Sequence, residues 1–101
     1  MRSVADDPVP QDMPFLFPLG QTAITAAALD VLSGLDVLSA IGRHVRGDWG
    51  EVPADDARAN DEALRHGGRL LSAYLAADGC KFWIITEADR SVTTVLLPED
   101  Y

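Results

Sequence analysis

Residues 70–97, LLSAYLAADGCKFWIITEADRSVTTVLL, contain three β-prone runs separated by two polar turns. In residues 70–75 the side chains alternate with a period of two, which is typical of a strand. Asp78-Gly79 favours a hairpin turn, because both central positions of the preferred turn need a positive φ. Residues 81–86 and 92–97 are rich in aromatic and β-branched side chains. The sequence therefore predicts a three-stranded antiparallel sheet in the C-terminal third.

Helices are predicted before this sheet. The first is expected to be capped by Thr22 and to end at Gly34, with apolar residues at helical spacing: Ile24, Ala28, Val31 and Leu32. A second helix is predicted from Asp36 and a third from Pro53, and glycines follow both. The third helix has few apolar residues and is expected at the surface. The predicted fold class is α+β, with two or three N-terminal helices packed on the three-stranded antiparallel sheet.

Prolines mark the N-terminal region as different from the rest of the chain: Pro8, Pro10, Pro14 and Pro18. Each proline removes a backbone donor and moves the preceding residue away from helical angles. Residues 1–18 are therefore predicted to be an extended or disordered arm, and residues 19–101 a single α+β domain. Residues 13–19 are apolar and are expected to lie on the domain's own core or against a partner.

The net charge limits the function classes. Sixteen Asp and Glu residues against eight Lys and Arg give a formal charge of −8, which repels phosphate and disfavours direct nucleic-acid binding. No apolar run approaches the roughly 18 residues of a membrane span, and no secretory pattern is seen, so a cytoplasmic protein is expected. Cys80 is the only cysteine, which excludes an internal disulfide and a cysteine-based zinc site. No metal or cofactor is predicted.

Acidic residues are concentrated in residues 51–62, which contain five of them against Arg58 alone. A protein partner with a basic surface is expected to bind there, through Glu51, Asp55, Asp56, Asp61 and Glu62. Trp49 lies between Gly47 and Gly50, a pattern typical of a tight chain reversal with an indole on the core. If the indole is exposed, Trp49 is instead a candidate anchor for the partner.

A catalytic alternative involves His44, Arg90 and Thr94. His44 has an unperturbed pKa of about 6.5, which suits proton transfer. Arg90 in the loop between the last two strands is a candidate to stabilise a phosphorane. The structural interpretation is that His44 ends a helix and that Arg90 belongs to a polar turn. Phosphate-binding glycine loops and hydrolase elbows are absent from the sequence.

Four stretches of the chain carry a family resemblance: Leu19 to Thr22, Arg43-His44, Gly47 to Gly50, and Trp83 to Tyr101. They resemble a family of small, largely uncharacterised proteins of plasmids, phages and other bacterial mobile elements, over roughly residues 18–101. The resemblance implies a genomic setting in which small acidic proteins often disarm host defences such as restriction or CRISPR systems.

A looser resemblance connects the chain with the barnase, EndoU, colicin and RelE group of small nucleases. Arg43-His44, Arg90 and Thr94 are the positions that correspond. The negative charge is a departure, because such nucleases are usually basic.

Three hypotheses stay open from the sequence. The first is an inhibitor of anti-CRISPR or anti-restriction type that binds a basic nucleic-acid-binding surface of a host complex. The second is a small RNase-like enzyme that uses His44 and Arg90. The third is an antitoxin-like partner protein, and a homodimer is compatible with each.

Overall fold

The computed structural model describes residues 15–101, so most of the predicted arm lies outside the described part of the chain. Within residues 15–101, the strands are β1 (Gln21–Ile24), β2 (Leu70–Leu75), β3 (Lys81–Thr86) and β4 (Val92–Leu96). The helices are α1 (Ala26–Val31), α2 (Gly34–Val45) and α3 (Ala54–His66), and a short 3₁₀ helix (Pro98–Asp100) follows β4. The predicted α+β class is confirmed.

β2, β3 and β4 form the antiparallel arrangement that the sequence predicts. Leu70 pairs with Thr86 in the first ladder, and β4 pairs with the other side of β3. The hairpin at Asp78-Gly79 is also present, although only Gly79 has a positive φ, of 90°. The loop is closed by a hydrogen bond from the N–H of Ala76 to the carbonyl of Cys80, at 2.9 Å. It is therefore a three-residue loop rather than the predicted two-residue turn.

The prediction is wrong at the start of the domain, where residues 21–24 form a strand instead of a helical turn. β1 runs parallel to β4, with Thr22 beside Thr93, so the sheet has four strands in the order β1-β4-β3-β2 and is mixed. Thr25 caps α1 in place of Thr22, because its hydroxyl accepts a hydrogen bond from the N–H of Ala28. Pairing with a distant strand has overridden the helical spacing of the apolar residues.

Gly20 makes the approach of β1 to β4 possible. Its φ is 66°, and a Cβ on it would lie 2.4 Å from the carbonyl oxygens of both Arg90 and Ser91. The N–H of Gln21 then donates to Ser91 O at 3.0 Å and starts the parallel ladder. A side chain at position 20 would separate these two segments.

The first two helix boundaries also differ from the prediction. Gly34 was expected to end the first helix, but it is the first residue of α2. Ser33 caps this helix by accepting a hydrogen bond from the N–H of Asp36, so the helix starts two residues earlier than predicted. α3, from Ala54 to His66, agrees with the prediction.

The helices pack on one face of the sheet. Ala28 of α1 and Ala40 of α2 lie in a buried cluster with the strand residues Tyr74, Phe82, Ile84 and Val95. A second cluster combines Phe17, Val45, Trp49 and Leu70 with partly buried residues of α3. Because Phe17 is buried there, the end of the predicted arm packs on the domain's own core. On the opposite face the aromatic ring of Tyr101 lies 5.6 Å from that of Trp83.

The outer edge of β2 is covered by the chain that precedes it. The N–H of Ala73 donates to Trp49 O at 3.1 Å, and the N–H of Glu51 donates to Ala73 O at 2.6 Å. Asn60 of α3 then bonds both backbone groups of Leu71: its Nδ2 donates to Leu71 O at 2.8 Å and its Oδ1 accepts from Leu71 N at 3.1 Å. One side chain thus substitutes for a neighbouring strand at this edge.

Asn60→Ala is expected to lower the free energy of unfolding by about 2 kcal/mol, because two partly buried backbone groups of Leu71 lose their partners. Chemical denaturation measures this loss, and the amide of Leu71 should exchange with solvent faster in native-state hydrogen exchange. Arg58→Ala, at an exposed position of the same helix, is the control and should change stability by less than about 0.5 kcal/mol. Equal stability of the two variants would contradict the role of Asn60.

Candidate functional site

His44 is fully buried and lies at the centre of a line of polar side chains. Its Nδ1 lies 2.5 Å from Ser72 Oγ, and its Nε2 lies 2.9 Å from Thr86 Oγ1. Thr86 Oγ1 is in turn 2.8 Å from Thr93 Oγ1, and Thr93 Oγ1 donates to the carbonyl oxygen of Leu19 at 2.7 Å. These side chains from α2, β2, β3 and β4 form what we term the His44 line.

The order of donors along the His44 line assigns the imidazole tautomer. Because Thr93 uses its only proton on Leu19 O, it accepts a hydrogen bond from Thr86. Thr86 therefore accepts from Nε2–H of His44, and Nδ1 accepts from the hydroxyl of Ser72. Both ring nitrogens are used by protein groups, and neither is directed at solvent.

The surroundings keep the imidazole neutral. Burial, and secondly the positive charge of Arg90, lower the pKa of His44 from 6.5 to about 4. The rings of Phe17 and Trp49 also contact it edge-on, with centroid distances of 5.2 and 5.7 Å. A histidine that exchanges protons near neutral pH needs a pKa close to 7 and a path to substrate. His44 has neither.

Arg90 is held by backbone carbonyls. Its Nη1 donates to Gly68 O at 2.5 Å and to Glu87 O at 3.0 Å, and its Nη2 donates to Ala63 O at 3.1 Å. Ala63 lies in the last turn of α3, so the guanidinium neutralises the negative end of that helix. Arg90 has a φ of 61°, unusual for a residue with a side chain, and these bonds fix that conformation. Arg90 thus belongs to the turn, as the structural interpretation predicts, and its side chain also caps the C-terminal end of α3.

Thr94 is not part of this group. Consecutive residues of a strand point to opposite faces, and Thr93 is the one that faces His44. Thr94 therefore lies on the opposite face of the sheet, with Ile85 as its partner in β3. The phenyl ring of Phe17 lies between the other two candidates: it contacts the His44 ring, and its centre is 5.7 Å from the guanidinium carbon of Arg90. The three candidate catalytic residues do not converge on one open site.

Trp49 does not present an exposed indole. It is buried, and its Nε1 donates to Asp61 Oδ1 at 3.1 Å. The exposed indole that a partner anchor requires is therefore not present, and Trp49 lies on the core, as the structural interpretation of the Gly47–Gly50 segment predicts. Asp61 therefore has a structural role as well, because its carboxylate accepts the hydrogen bond of the indole at the margin of the core.

All five predicted acidic residues, Asp61 included, are exposed. Asp55 forms an ion pair with Arg58, and Glu62 pairs with Arg65 at 2.6 Å. Surface pairs of this kind contribute little free energy, and their charges stay accessible to a partner. With two arginines against five acids, residues 51–66 retain a formal charge of −3. The carboxylates of this region, without Asp61, are termed the α3 acidic surface: Glu51, Asp55, Asp56 and Glu62.

Sequence reasoning did not find Ser72, Thr86 and Thr93 as partners of His44. A usable signal was present, since each is a polar residue on the buried face of an otherwise apolar strand. Buried hydroxyls need hydrogen-bond partners, and His44 supplies two. In residues 15–101 no group of three metal-ligating side chains is found, and no helix in that part is long and apolar enough to cross a membrane.

The chain matches no protein-family model, no curated protein and no solved structure. The resemblance to mobile-element proteins and the looser one to small nucleases therefore stay predictions.

The buried neutral His44 is expected to make stability depend on pH. Its folded pKa of about 4 lies below the unfolded value of 6.5, so the unfolded chain takes up the proton first as pH falls. The stability from neutral His44 is complete above pH 6.5 and is lost as pH falls towards 4, by roughly 3 kcal/mol. Urea unfolding of wild type and His44→Gln at several pH values measures this difference. Parallel pH profiles would contradict it.

Proposed function

We propose that the protein acts by binding another protein, and that the α3 acidic surface contacts a basic patch of that partner. The observation that carries the proposal is the contrast between the two sets of candidate residues. Both ring nitrogens of His44 and both terminal nitrogens of the Arg90 guanidinium form structural hydrogen bonds, whereas Glu51, Asp55, Asp56 and Glu62 are exposed.

The geometry of α3 suits recognition of a row of positive charges. Asp55 and Glu62 are seven residues apart, so they lie on the same side of the helix, separated by about 10 Å along its axis. Asp56 lies beside Asp55 in the first turn. Among residues 15–101 no ion pair involves Glu51 or Asp56. A basic partner would gain attraction over a long range, and the rate of association would fall as salt increases.

The narrower proposal concerns the class of partner. We propose a nucleic-acid-binding site of a host complex, such as a restriction or CRISPR effector, in which the carboxylates occupy positions otherwise taken by phosphates. The mobile-element resemblance and the net charge of −8 support this choice. The RNase hypothesis has no comparable support, because His44 is buried, the terminal nitrogens of Arg90 bond to backbone carbonyls, and Thr94 lies on the other face of the sheet.

The test uses the full chain as bait in a lysate of a bacterial host that carries such defence systems. The variant Glu51→Gln, Asp55→Asn, Asp56→Asn should bind the captured partner at least about tenfold more weakly, since three exposed charge contacts are removed. Asn and Gln keep the size of the side chains. Affinity for the purified partner is then measured by calorimetry at low and high salt.

The matched control neutralises three exposed acids elsewhere, with Asp78→Asn, Asp89→Asn and Glu99→Gln. It has the same net charge as the first variant and should bind nearly as wild type does. Equal weakening in both variants would show a general charge effect and contradict an α3 site. Cleavage of RNA by the wild-type protein that His44→Gln abolishes would favour the nuclease hypothesis instead.

A further inference from the structure

β1 is the outer strand of the sheet at the edge opposite to β2. Its ladder with β4 includes hydrogen bonds from Gln21 N to Ser91 O and from Thr25 N to Val95 O, both at 3.0 Å. Backbone groups of alternate residues point to the same side of a strand. The N–H and C=O groups of Thr22 and Ile24 therefore point away from β4, and no residue of the described part of the chain forms a strand beside them.

An apolar groove lies beside this free edge, between β1 and the first two helices. It has a volume of about 380 Å³, and the side chains of Thr22 and Ile24 face into it. Its wall continues with Leu29 of α1, with Leu32 just after that helix, and with Val37, Leu38 and Ile41 of α2. Leu29 and Leu38, which both line the groove, are 65% and 68% exposed, and large apolar side chains exposed together are typical of binding surfaces.

The two edge strands of the sheet differ in whether their outer backbone groups are covered by the described chain. At β2 the backbone is covered by residues 49–51 and by Asn60, which protects that edge from pairing. At β1 the described chain supplies no such cover, although an open edge strand beside apolar side chains favours association. Extended peptides bind at sites of this kind, where backbone hydrogen bonds give affinity and a pocket accepts alternate side chains.

The charge near the edge favours a basic occupant. Residues 15–42, which include β1, α1 and most of α2, contain no lysine or arginine. Of their two charged residues, Asp30 follows the groove residue Leu29, whereas Asp36 accepts a hydrogen bond from Ala77 in the loop between β2 and β3. Asp100 also accepts a hydrogen bond from Thr25 just beyond β1, at 2.7 Å. A second copy of the chain would bring the same charges and a net charge of −8. A positively charged segment is favoured over a like-charged one.

We propose that an extended basic segment of a partner protein binds along β1 as a fifth strand, with apolar side chains at alternate positions in the groove. The backbone of this segment forms hydrogen bonds with the outward N–H and C=O groups of Thr22 and Ile24. The site goes beyond the α3 acidic surface, because β1 and β2 are opposite edges of the sheet. A partner that uses both surfaces would bind around the domain.

The probe is the peptide Lys-Val-Lys-Leu-Lys-Val-Lys, blocked at both ends, added to the full chain. Its binding should slow amide hydrogen exchange at Thr22 and Ile24 at least about tenfold, as measured by NMR. Thr22→Pro removes one outward donor and leaves the ladder with β4 intact, since an outward-facing edge position tolerates proline. It should weaken the peptide at least about tenfold, whereas Thr22→Val should change affinity less than about twofold.

A second variant does not alter the backbone. Leu38→Arg places a positive charge at an exposed position of the groove and should also weaken the basic peptide at least about tenfold. The acidic analogue, with glutamate in place of lysine, should bind much more weakly than the basic peptide. Neutralising Glu51, Asp55 and Asp56 should leave the slowed exchange at Thr22 and Ile24 in place, which separates this site from the α3 acidic surface.

Several results would overturn the proposal. Unchanged exchange at Thr22 and Ile24 in the presence of peptide would exclude strand addition, and equal binding of the acidic analogue would exclude the charge argument. Association of the wild type that Thr22→Pro prevents would make a second copy the occupant. Slow exchange at both amides without peptide, at every protein concentration, would show that residues 1–14 occupy the edge.

Discussion

The hydrogen bond from Nε2 of His44 to Thr86 Oγ1 connects the helical layer to the middle of the sheet. Through Thr93 it reaches Leu19 O, just before β1, and through Nδ1 it reaches Ser72 in β2. A buried imidazole without these partners would be strongly unfavourable, so α2 has one position on the sheet in which the His44 line is complete. The apolar clusters on either side provide most of the burial, and the polar line fixes their alignment.

The same constraint gives the polar residues of the interior a structural role. His44 and Arg90, which have the chemistry of a small nuclease, stabilise the fold: the first aligns α2 with the strands and the second caps α3. Two exposed features are left without a structural task in residues 15–101, namely the α3 acidic surface and the free edge of β1. These two features lie at opposite edges of the sheet, and we propose a basic partner for each.

The parts of the fold predicted from sequence depend on local signals. Each of these signals extends over only a few residues: the alternation in residues 70–75, the turn at Asp78-Gly79 and the glycines after α3. β1 was missed because its pairing with β4 is non-local, and four residues with Ile24 at helical spacing favour a helix on their own. The site was missed for a similar reason, since the partners of His44 come from three strands and their sequence spacing shows no common pattern.

The state of the imidazole gives the most direct test of the structural role of His44. The ¹⁵N spectrum of His44 in the uniformly labelled protein reports which ring nitrogen carries a proton. Between pH 7 and pH 5 it should show a neutral ring with a protonated Nε2 and an unprotonated Nδ1, because the pKa is about 4 and Thr86 accepts from Nε2. An imidazolium at pH 6, or a neutral ring protonated at Nδ1, would contradict the account.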